Sequence, residues 1–121
     1  MTTAGVAPDV LKGNVASGQR FAIDYVQVGE NGSTHTGDAT KNETHLAYGE
    51  EILAVADGVV VDTKDGLPEN VPGIQSRAVP ISLETVAGNY VVIDIGNGRY
   101  AFYAHLIPGS MRVAVGDRVR R

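Results

Sequence analysis

The sequence predicts an all-β domain of mostly antiparallel strands, and three observations carry that prediction. Its 15 glycines and 5 prolines are spread along 121 residues and punctuate short apolar runs, the pattern left by many turns between strands. No window of a dozen residues shows the apolar spacing of a helix. Residues 89–106 form two strand-like runs joined at Gly96-Asn97-Gly98, and Asn-Gly is the strongest short-range signal for a tight hairpin.

Length and charge narrow the function classes. A chain of 121 residues makes one domain with a modest core. With 14 acidic against 10 basic side chains, the net charge is −4, which excludes nucleic acid as a general partner. The basic cluster of Arg112, Arg118, Arg120 and Arg121 reads as a solvated edge. Without cysteine there are neither disulfides nor thiolate metal ligands. No apolar run reaches membrane-spanning length, and the first residues lack the basic and apolar regions of a signal peptide.

In chain order, residues 1–18 form a lead-in and residues 19–121 the domain. Residues 19–28 alternate as a strand, with Phe21, Ile23 and Tyr25 on one side and Ala22, Asp24 and Val26 on the other. Residues 29–49 are a long polar insertion, of a length that is usually functional or mobile. It holds His35 and His45, which are expected to face solvent. Residues 51–63 read as two apolar strands broken at Asp57-Gly58, where glycine permits a positive φ. Residues 64–80 form a second irregular loop with Pro68, Pro72 and Pro80, and residues 81–85 a short edge strand. Residues 111–119 add a last strand and a Gly116-Asp117 turn.

The central hairpin sorts its side chains by period two. With Asn97 and Gly98 as the loop, Ile95 faces Tyr100, Ile93 faces Phe102 and Val91 faces Ala104 on an apolar side. The other side pairs Asp94 with Ala101, Val92 with Tyr103 and Tyr90 with His105. A histidine flanked by Tyr90 and Tyr103 is an odd end for a core strand.

Several pieces, taken in order, resemble a known family. They are Arg20-Phe-Ala-Ile-Asp24, the I-x-A-x-x-D-G-x-V run from Ile52 to Val60, and Gly88-Asn-Tyr-Val-Val-Ile-Asp94. Tyr103-Ala-His105-Leu106 and the V-x-x-G-D-x-V turn from Val113 to Val119 complete the set. Lipoyl and biotinyl carriers have similar elements around a modified lysine, but the tip here is Asn97-Gly98. The order looks instead like the duplicated hybrid motif (a barrel-sandwich hybrid) of the lysostaphin-like zinc metalloendopeptidases. That resemblance implies hydrolysis of peptide cross-links in bacterial peptidoglycan, at the cell envelope or outside the cell.

The resemblance also assigns residues. The family binds zinc through a histidine and an aspartate spaced H-x-x-x-D and the second histidine of a later H-x-H, leaving a position for water. Asp24 matches the aspartate ligand. The histidine position holds Arg20, whose guanidinium has no lone pair for a metal. Two readings follow. Arg20 pairs with Asp24 in a metal-free site, or a ligand is recruited from elsewhere, such as His35 or His45. Four strand positions span about 13 Å, so either arrangement needs a bend. His105 matches the family's auxiliary catalytic histidine, with Tyr90 and Tyr103 as groove candidates. No His-x-His follows Val119, so the chain is expected to be an incomplete version of the domain.

The expected function is therefore a zinc metallopeptidase domain whose intact parent cleaves peptidoglycan peptides in a groove walled by the two long loops. The competing expectation is a degenerate, non-catalytic member that binds cell wall or activates a cell-wall amidase. A phosphotransferase-type carrier with His105 as phosphate acceptor shares the fold and is the third reading.

Overall fold

The computed structural model describes residues 22–73, 77–82 and 84–121. Arg20, the lead-in 1–18 and the first residues of the expected 19–28 strand lie outside them. The described residues contain almost no helix, only a 3₁₀ turn at Asn42–Thr44. Four strands form one antiparallel sheet: β1 (Gly58–Lys64), β2 (Asn89–Gly96), β3 (Arg99–Leu106) and β4 (Arg118–Val119), in the order β3-β2-β1-β4. Among the described residues no helix is long and apolar enough to cross a membrane.

The β2–β3 hairpin turns at Asn97-Gly98, with Gly96 opposite Arg99. Asn97 and Gly98 have φ of 56° and 68°, the left-handed pair that a type I′ turn requires. Beyond the turn the register departs from the regular one. Asp94 pairs with Tyr100, Ile93 with Ala101 and Val91 with Tyr103. One extra residue, Ile95, is bulged out of β2, and the Asp94 carboxylate accepts the Gly96 amide at 2.8 Å across that bulge. A one-residue offset moves every β3 side chain to the opposite face.

The expected faces are corrected accordingly. Tyr103 is buried with Val91, Ile93 and Val60 in the core, whereas Phe102 is 42% exposed on the other side. There Tyr90 stacks on Phe102 at 5.2 Å between ring centroids, and its hydroxyl donates to Asp62 at 3.0 Å. A second irregularity, between the pairs Val91–Tyr103 and Asn89–Leu106, places one extra residue on β3 and restores the original register. His105 belongs to this second bulge.

Three expected strands do not form, and of the expected strand in 111–119 only Arg118–Val119 forms. Residues 22–28 join no strand, and Ile23, Tyr25, Val26 and Val28 are all exposed, so neither of their alternating faces is buried. Residues 51–54 alternate in burial without being a strand; Ile52 and Ala54 pack on the core. Residues 84–87 form a turn in place of the edge strand, held by the Val86 amide on the Ser82 carbonyl at 2.9 Å.

Gly58 opens β1 for a reason other than the one expected. It lacks a positive φ. A Cβ there would collide with the Asp94 carbonyl and lie 2.6 Å from Ile93 Cγ2, so glycine is needed for close approach of β2. The Gly116-Asp117 turn docks on the same strand. Val60 donates to the Asp117 carbonyl at 2.9 Å and accepts from Gly116 at 2.8 Å.

Candidate functional site

The core face of the sheet is only partly covered, and the remaining space is an open groove of about 360 Å³. Val91, Ile93 and Tyr103 form its floor, with Ile52 and Met111 on the two walls and His105 at one end of β3. The walls are residues 47–54 and 106–113. Tyr103 fastens the first wall, because its hydroxyl accepts the Val55 amide at 2.9 Å. Glu51 and Arg112 meet across the rim at 3.2 Å, a solvent-exposed pair that contributes about 0–1 kcal/mol.

The expectation of two long loops as walls is corrected in part. Ala47, Tyr48 and Gly49 at the end of the polar insertion line the groove, whereas none of the described residues of 64–80 does. The second loop braces the first instead. Glu69 accepts the Tyr48 hydroxyl at 2.6 Å and the Asn42 amide at 3.1 Å, and the bond to Glu69 raises the Tyr48 pKa.

His105 is held in an uncommon backbone conformation, with φ of 57°. Such a residue costs roughly 1–3 kcal/mol and persists where its surroundings impose it. Here the bulge and the preceding turn impose it. The His105 amide donates to the Ala87 carbonyl at 2.9 Å. Gly88, at φ 62°, comes so close that a Cβ would sit 3.4 Å from His105 Nδ1. Bulges re-aim side chains beside binding sites, and this one brings His105 onto the groove side.

Electrostatics tie three residues together. Desolvation by the surrounding protein lowers the His105 pKa from the usual histidine value, although the residue as a whole is solvent-exposed. The Asp24 carboxylate is close enough to oppose that shift, and the Arg77 guanidinium reinforces it. Asp24 and His105, distant in sequence, are thus within electrostatic reach of each other. Sequence reasoning missed Arg77 and the Ala87-Gly88 support; the only available signal was a glycine just before the strand.

The other candidates lie apart. Tyr103 lines the groove through its ring. Tyr90 faces away from it, because the Ile95 bulge separates the two tyrosines. Arg20 is outside the described residues. His35 and His45, expected in solvent, are half-buried and pair with each other in the insertion. Among the described residues no three His, Cys, Asp or Glu side chains converge as a metal site. Asp24 and His105 alone do not supply the three protein ligands usual for catalytic zinc.

Compared with protein-family models, curated proteins and solved structures, the chain matches none.

Proposed function

We propose that the chain carries one side of a lysostaphin-like peptidase site, in a protein that hydrolyses peptide bonds of bacterial peptidoglycan at the cell envelope. The electrostatic influence of Asp24 on His105, which lines an apolar groove, supports this reading. The two residues carry the ligand and auxiliary roles of the motif that the sequence resembles. With its lowered pKa, His105 is neutral near pH 7 and can accept a proton or hydrogen bond from a group in the groove. An extended peptide suits a groove that is open and floored by apolar side chains. Zinc belongs to this proposal only together with donors outside the described residues, because Asp24 and His105 do not complete its ligand set.

The test is digestion of purified peptidoglycan by zinc-loaded protein, read as newly released amino groups. Release that requires zinc and disappears in His105→Ala supports a peptidase. Protein that binds no zinc and releases no amino groups contradicts it.

The second reading is a non-catalytic member that binds cell wall or activates an amidase, and Arg20 in the ligand position favours it. On that reading, metal-free protein stimulates a cell-wall amidase. Arg20→His then gains zinc, as expected of a site that lost its ligand. Zinc held tightly at Asp24 in the unaltered protein counts against it.

A further inference from the structure

The polar insertion contains a second pair of chemically capable residues, away from His105. His35 and His45 form an antiparallel bridge. It is flanked by the Thr36 amide on the Thr44 carbonyl and the Leu46 amide on the Thr34 carbonyl, each at 2.9 Å. This pattern makes 35 and 45 a non-hydrogen-bonded pair, the position where cross-strand side chains come closest. Their ring centroids are 5.5 Å apart with the planes tilted by 40°.

The tautomer of His45 is set by its surroundings. Its Nε2 lies 2.9 Å from the Ala39 carbonyl, which can only accept, so Nε2 carries the hydrogen and Nδ1 the lone pair. Metal-bound histidines are commonly held in this way, with the other ring N–H donated to a backbone carbonyl. Two imidazoles on one tetrahedral ion, each with a metal–nitrogen bond of about 2.0–2.1 Å, place their ring centres roughly 5 Å apart. The observed separation is close to that spacing.

We infer that His35 and His45 form a two-histidine chelate for a divalent transition ion that favours imidazole, such as zinc, copper or nickel. His45 binds through Nδ1. Water or an outside donor fills the remaining positions, since no third His, Cys, Asp or Glu converges there among the described residues. The bound ion cross-links the two sides of the insertion. This site is separate from the groove and does not depend on peptidase activity.

The experiment is titration of the full chain with zinc ion alone, followed through the imidazole nitrogens by NMR. Zinc should shift His45 Nδ1 and one His35 nitrogen together and leave the His45 Nε2 proton in place. Calorimetry should show that binding lost in His35→Gln and His45→Gln, and retained in His105→Ala. Resonances of His35 and His45 that do not move with zinc overturn the inference, as does a zinc-dependent shift of the His35 resonances that survives His45→Gln. The resonances are read on the unaltered protein, so a variant that misfolds does not obscure the answer.

Discussion

The His105 amide donates to the Ala87 carbonyl at 2.9 Å, fastening a left-handed residue in β3 to the turn that precedes β2. The conformation has a stability consequence. A side chain in the left-handed region costs about 1–2 kcal/mol, a penalty that glycine avoids. His105→Gly should therefore be more stable than His105→Ala by about 1 kcal/mol, measured by urea unfolding of both variants. Equal stabilities, or a more stable alanine variant, would contradict an imposed conformation.

Gly58→Ala should destabilise the sheet although the φ of Gly58 is ordinary. The added methyl meets the Asp94 carbonyl and Ile93 Cγ2, and overpacking of this kind costs about 1–3 kcal/mol. The chemical denaturation midpoint should fall, with the largest amide shifts at Ile93 and Asp94.

Asn89 is 3% exposed and fully engaged. It accepts the Leu67 amide at 2.9 Å and donates to the Leu67 and Leu106 carbonyls at 2.9 and 3.2 Å. Asn89→Ala leaves these groups unpaired, each at a cost of about 1–3 kcal/mol where water does not replace the bond. Hydrogen exchange should accelerate at Leu67, which loses its acceptor.

The pH dependence of stability follows from His105. Its folded pKa lies below the ordinary value of 6.5, so the unfolded chain binds the proton more tightly. Stability is then unaffected by this group well above 6.5 and falls as pH drops from there through the folded pKa. The difference between wild type and His105→Gln, measured from about pH 8 to pH 5, should show the wild type losing stability faster in acid. An opposite slope would mean that the Asp24 attraction outweighs desolvation.

Particular residues show how far the sequence could be read. The Asn97-Gly98 turn was legible because few residue pairs adopt two successive positive φ values. The faces of β3 were not, because alternation assumes an unbroken register. The bulge at Ile95 shifts that register by one, and the bulge at His105 shifts it back. Pairing near Leu106 therefore matches the regular expectation although Tyr103 does not. The 22–28 stretch misled for a related reason: alternation marks two faces a strand would have, without indicating whether either is buried. At the site, Asp24 and His105 were named from motif resemblance, whereas Arg77 and the Ala87 carbonyl reach His105 only through folding.

The claim at the centre is that Asp24 and His105 share one site, and the most direct measurement is the NMR titration of His105 in wild type and in Asp24→Asn. Removing the carboxylate removes a charge that favours imidazolium, so the His105 pKa should fall further below its already lowered value. A His105 titration that is unchanged in Asp24→Asn, or that rises, would contradict it.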